Sequence, residues 1–224
     1  RLQDVLPTLQ ARADAGDGIA ACRMSIELMR CQIHAKKFPD QLARLERDLA
    51  DLRGSKDPRA IAAVEDELAR ALATDSACAR LPKGLADRAQ HYLREAALAG
   101  EPESRYRYAS GAGFEDSGGF DYLLTPAFDQ WRREAEAMIQ TSLADGRPEA
   151  SLVLAFAYSN DVGLLAGLVP DDPARARAHL ALAKRVYGES LAAFPFPLPQ
   201  AGTNASAAEM ASADAQAAQW HQAH

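Results

Sequence analysis

Apolar positions recur at intervals of three and four over most of this chain, most clearly in Leu85–Gly111. There Ala89, Tyr92, Leu93, Ala96 and Ala97 line one face, the spacing that a 3.6-residue period requires. Gly100 stops this helix, because a left-handed residue just past the last turn is easiest for glycine. Glu101-Pro102 then opens a second one: proline fits the first helical position, and an acid there complements the helix dipole. Small Ala96, Ala97, Ser104 and Ala109 permit close approach. The stretch is expected to form an αα-hairpin.

Similar patterns flank it. Phe38–Leu72 reads as a hairpin in which Pro39-Asp40 opens a helix through Leu42, Leu45, Leu49 and Leu52, ending at Gly54. Asp57-Pro58 opens its second arm through Ile61, Val64, Leu68 and Leu72. The mixed charges between these positions, such as Arg44, Asp48, Glu67 and Arg70, read as solvated faces. In Phe128–Leu143 the residues Phe128, Trp131, Ala135, Met138 and Ile139 fall in step as a core stripe. Asp172–Tyr187 is helical, and Pro195, Pro197 and Pro199 forbid a matching helix after Gly188. Two connections stand apart. Gly111–Thr125 holds Phe114, Phe120 and Tyr122 among the acids Glu115, Asp116 and Asp121, and its Leu123 and Leu124 are expected to plug the space between hairpins. Val162–Pro170 holds Leu164, Leu165, Leu168 and Val169, which are costly to leave in water and are expected to cover the core. Asn204–His224, rich in Ala, Ser and Gln, is either a capping helix or a disordered tail.

Placing Gly16, Gly100 and Gly146 in register aligns their surroundings. Four residues on stand Ala20, Ser104 and Ala150; eight on stand Met24, Tyr108 and Leu154; nine on stand Ser25, Ala109 and Ala155. Three before stand Ala13, Ala97 and Leu143. Small, large and small residues in fixed register suit helices whose axes must come close. The pattern A-x-x-G-x-x-x-A-x-x-x-L-A resembles the Sel-one-like repeat, a relative of the tetratricopeptide repeat. The likeness is best in Leu85–Gly111 and Phe128–Asn160 and partial in Leu6–Met29 and Pro173–Ala193. It implies an all-α fold, a short α-solenoid of antiparallel helical hairpins that scaffolds protein complexes without catalysis. Residues 1–193 would then be the repeat domain, with the hairpin 38–72 inserted, and 194–224 a Pro-rich linker with a weakly structured or capping tail. In such solenoids the first helices of successive repeats face the concave surface. That places Arg88, His91, Arg94, Arg132 and Arg133 along a partner-binding groove.

Composition agrees with helix. The 224 residues are 48% hydrophobic but only 7% aromatic, with alanine dominant and few β-branched runs, which points to closely packed helices. The net charge of −6 and pI near 5.4 come with no basic stripe, so nucleic acid is not an expected partner. No run approaches the length of a membrane span, and no signal-peptide pattern is visible. The chain opens on Arg1 rather than methionine, from which an upstream segment is expected.

Cys22 and Cys31 are nine residues apart on one helix, ~13.5 Å at 1.5 Å per residue. A disulfide needs Cα atoms within about 7 Å, so these two cannot pair. If consecutive helices run antiparallel, the chain leaves Cys31 and returns past it near Cys78. A Cys31–Cys78 bridge would be worth about 3–4 kcal/mol in the chain-entropy model and would imply an oxidising compartment, a periplasm or the cell exterior. Three buried thiols in a cytosolic protein are the alternative.

Recognisable chemistry is sparse. His34, His91, His179, His221 and His224 make no HExxH or cysteine-paired metal spacing. No GxSxG elbow, P-loop or dinucleotide fingerprint occurs, and the acids of Gly111–Thr125 lack calcium-loop spacing. A non-catalytic scaffold for another protein is therefore expected, without metal or cofactor and as a monomer or weak homo-oligomer. Its binding anchors would be the loop aromatics Phe114, Phe120 and Tyr122 or the basic groove. The alternatives are an enzyme with a site near His91, Asp116 and Asp121, and an oligomeric structural protein using Phe38–Leu72 as its stripe.

Overall fold

The computed structural model describes residues 2–55, 57–114, 121–160, 163–193, 198–199 and 206–223. Among them there are helices and turns and no strands. The chain divides into two compact units, Arg1–Glu101 and Pro102–His224. The division falls inside the stretch expected to form the central hairpin, whereas the sequence pattern placed a boundary at 193/194. The C-terminal helix belongs to the second unit.

In the first unit, α1 (Leu2–Asp14) turns into α2 (Gly18–Ser55), which continues through α3 (Pro58–Cys78) to α4 (Ala89–Leu98). α2 is longer than expected. Its 38 residues span ~57 Å at 1.5 Å per residue, and they run straight through Pro39, where a break was expected. Proline removes one backbone donor and normally costs an interior helix about 3 kcal/mol. Here Pro39 and Ala35, whose carbonyl loses that donor, are exposed to water. Packing holds the helix on both sides: Leu28 and Cys31 are buried before the proline, Leu45 and Leu49 after it. The turn between α2 and α3 therefore lies where it was expected, after Gly54 and before the Asp57 cap, but its first arm is the continuation of α2 rather than a separate helix opening at Pro39.

α3 starts where Asp57 caps it, accepting from the Arg59 and Ala60 amides at 3.0 and 3.2 Å, with Pro58 in the first turn. It runs antiparallel to α2. Arg44 pairs with Glu67 at 2.6 Å, His34 with Asp75 at 3.4 Å, and Cys31 with Cys78 in a disulfide whose Cα atoms are 5.4 Å apart. Packing alone gives α3 little. Ala71 is its one fully buried residue, and Leu72, expected in the apolar face, is 47% exposed. The bridge therefore carries much of the attachment. α4 also packs on α2, burying Ala89, Tyr92, Leu93, Ala96 and Ala97, the face its periodicity marked. Contact is close enough at Gly18 that a Cβ there would lie 2.8 Å from that of Ala99.

The second unit runs α5 (Pro102–Ala109), α6 (Pro126–Ala144), α7 (Glu149–Ser159), α8 (Pro173–Tyr187) and α9 (Ala207–Ala223), each packed on its neighbour in sequence. The expected cover over the core is present, with Leu164 and Val169 buried and Leu165 and Leu168 half-buried. α9 settles the choice for the tail within residues 207–223: it is a helix against α8, burying Ala213 and Ala217.

The aligned glycines end α1, α4 and α6 in the same way. Gly16, Gly100 and Gly146 have φ of +89°, +87° and +83°. In each turn the glycine amide bonds three residues back, and the next amide bonds five back. This double closure needs a left-handed residue just past the helix. The residues aligned with them are buried in every copy, Ala20, Ser104 and Ala150 as the small ones and Met24, Tyr108 and Leu154 as the large.

Denatured without reductant, the protein is expected to take one thiol label, on Cys22, which lies outside the disulfide, and two more after reduction. Reduction should lower the unfolding free energy by about 4 kcal/mol, read from the denaturant midpoint. Full labelling without reductant would show that α3 is held by packing alone.

Candidate functional site

The connection after α5 is built around one side chain. Trp131 of α6 is fully buried, and its indole N–H donates to the Tyr108 carbonyl at 2.8 Å. That satisfies the only polar atom of the ring, on a carbonyl near the end of α5 that also accepts from the Gly111 amide at 3.0 Å. Gly111 follows with φ +87°, and a Cβ there would stand 1.9 Å from Leu164. The glycine is thus required both by its backbone and by the leucine lying on it. Phe114, Tyr122, Phe128 and Trp131 complete an aromatic cluster with ring centroids 5.3–5.8 Å apart.

α6 begins at Thr125, whose hydroxyl accepts from the Phe128 amide at 3.2 Å and donates to the Tyr122 carbonyl at 2.7 Å. The cap therefore also fixes the 3₁₀ turn Asp121–Leu124 that precedes it. This turn corrects two expectations. Phe114, expected as an exposed binding anchor, is 5% exposed, because the Trp131 and Phe128 rings leave it a slot. Leu123 and Leu124, expected to plug the core, are 42% and 90% exposed; the aromatics already fill that space. Tyr122 is half-buried and Asp121 exposed. Phe120, Glu115 and Asp116 lie outside the described residues.

The basic residues assigned to a groove are distributed over both units. In the first, Arg88 reaches Asp14 at 3.2 Å and lies 4.6 Å above the Tyr92 ring, while the Tyr92 hydroxyl donates to Asp14 at 2.9 Å. That hydroxyl, with help from Arg88, holds the Asp14 carboxyl below its usual pKa. His91 is exposed beside Tyr92, and Arg94 pairs with Glu95 at 3.1 Å. In the second unit Arg132 donates to the Gly167 carbonyl at 2.7 Å, and Arg133 is exposed. Arg88 and Arg132 thus serve contacts within the chain.

Sequence reasoning missed a strongly perturbed group of the second unit. His179 is 3% exposed, stacked between Tyr158 at 5.7 Å and Trp220 at 4.8 Å. Burial, and then the charge of Arg175, push its pKa down to about 4. Tyr158 also accepts from Gln140 and Arg175, each at 3.1 Å, and approaches Glu136 at 3.3 Å. The one available signal was Trp220, the sole aromatic of an Ala-rich helix. Its ring seats α9 on α8. Among the described residues no group of His, Cys, Asp and Glu is arranged to hold a metal ion. No helix is long and apolar enough to cross a membrane among the same residues.

No protein-family model matches this chain, and neither a curated protein nor a solved structure does.

The neutral imidazole makes stability pH-dependent. Its folded pKa of about 4 lies below the ordinary 6.5, so between these values the unfolded chain binds more protons. This contribution is full above pH 6.5 and is lost as pH falls towards 4. It amounts to about 3 kcal/mol at most, at 1.36 kcal/mol per pKa unit. His179→Phe is expected to flatten the stability profile over that window, measured by denaturant titration at several pH values. An unchanged slope would assign the acid sensitivity elsewhere.

Proposed function

We propose that the chain is a non-catalytic helical scaffold that docks another protein through the turn Asp121–Leu124. The observation that carries this reading is the exposure of Leu124, 90%, beside Leu123, on a turn fixed from behind by Thr125 and the aromatic cluster. Two adjacent leucines held in water on an ordered turn are unfavourable for an isolated chain. They become favourable once a partner buries them, and a rigid apolar anchor loses little entropy on binding.

The repeated glycine turns, with their buried small and large residues in register, support a repeat architecture like that of the Sel-one-like proteins. Hairpins of that kind stack because none buries both faces alone. The Cys31–Cys78 pair supports an oxidising compartment, a bacterial periplasm or the cell exterior, as the place of action. The scaffold works as a monomer or weak homo-oligomer.

Leu124→Asp is expected to leave the helical circular dichroism and melting temperature unchanged. In pull-downs from native host extract run beside the intact protein, it should weaken partner retention by at least about tenfold, the loss typical of an interface anchor. Phe114→Ala should instead destabilise the fold by about 3–5 kcal/mol. Equal partner retention by Leu124→Asp and the intact protein would contradict the docking turn.

A further inference from the structure

The second unit contains a cavity of about 310 Å³, within the size range of small-molecule sites. Leu152, Val153 and Phe156 of α7, with Leu165 and Leu191, give it apolar walls. Tyr187, at the end of α8, also lines it, and its hydroxyl is buried with no hydrogen-bond partner. A buried donor without an acceptor is unfavourable, and most such groups in folded proteins find one. We propose that this cavity binds a small uncharged molecule with an apolar, ring-sized body and one carbonyl oxygen, which accepts from the Tyr187 hydroxyl.

The remaining polar groups narrow the chemistry, apart from Ser190, which is exposed to water. Tyr106 lines the same cavity, its ring covered by the Arg147 guanidinium 4.8 Å from the centroid. Burial, and then the charge of Glu149, push its phenol up to about 12, so it stays protonated and brings no charge to the cavity. Tyr187 is shifted upward too, first by burial. Glu149 also lines the cavity and is exposed to water. Its negative charge opposes a carboxylate ligand. An amine would lose its hydration among apolar walls for one solvated carboxylate. A plain hydrocarbon would fill the space and leave the Tyr187 hydroxyl unanswered. A neutral acceptor satisfies walls and donor together.

The test uses the full chain and three probes of one shape: acetophenone, ethylbenzene as its counterpart without oxygen, and benzoate as an anion. Ligand-observed NMR titration is expected to show saturable acetophenone binding about three- to tenfold tighter than ethylbenzene, the worth of one neutral hydrogen bond. Benzoate should bind more weakly than either. Tyr187→Phe should bring acetophenone down to the ethylbenzene affinity and leave ethylbenzene unchanged. Val153→Trp, which fills the cavity from a half-buried position, should abolish both while the circular dichroism is retained. The proposal is overturned if acetophenone fails to saturate, or if its advantage survives in Tyr187→Phe. Binding that persists in folded Val153→Trp would overturn it equally, by placing the probe elsewhere.

Discussion

The buried indole of Trp131 is the group on which the second unit depends. Its hydrogen bond to the Tyr108 carbonyl joins α6 to the end of α5. Its ring surface fixes where Phe114 and Phe128 go. Leu164, from a connection more than thirty residues further on, lies against Gly111 beside the same ring, with no room for a Cβ between them. An aromatic of this size removes a large apolar area from water, and its N–H makes the orientation specific. The exposed turn Asp121–Leu124 inherits its position from this arrangement: Tyr122 faces the rings, and the two leucines after it have no interior left to enter.

The first unit solves a different problem. α2 is 38 residues long, and its second half is tied to α3 through the Arg44–Glu67 pair. α3 offers half-buried Ile61, Val64 and Leu68 rather than a full apolar face. A covalent link at one end, a capped start at the other and the Arg44–Glu67 pair between them make the hairpin hold. Exposed ion pairs contribute little each. The disulfide therefore outweighs them, and redox state becomes part of the stability of this half.

Local signals were legible in the sequence. The buried face of α4, the left-handed glycines and their aligned small and large residues follow from spacing along one or two helices. The Cys31–Cys78 pairing followed from topology, and it survived although the hairpin's first arm proved to be the continuation of α2 rather than a separate helix. Pro39 misled because a propensity for breaking helices says nothing about the packing that overrides it. In Gly111–Thr125 the sequence shows several apolar side chains but not which ones the interior accepts. That choice is made by Trp131 and by Leu164, far along the chain. The stack of Tyr158, His179 and Trp220 joins three helices and has no spacing rule. The Tyr187 cavity is legible only as a shape.

A site-specific photo-crosslinking residue in place of Leu124, expressed in the native host, tests the docking turn most directly. Docking through this turn predicts a discrete protein adduct from that position and none from the same residue placed at Glu46, an exposed position of α2. Identical adducts from both positions, or none from 124, would contradict it.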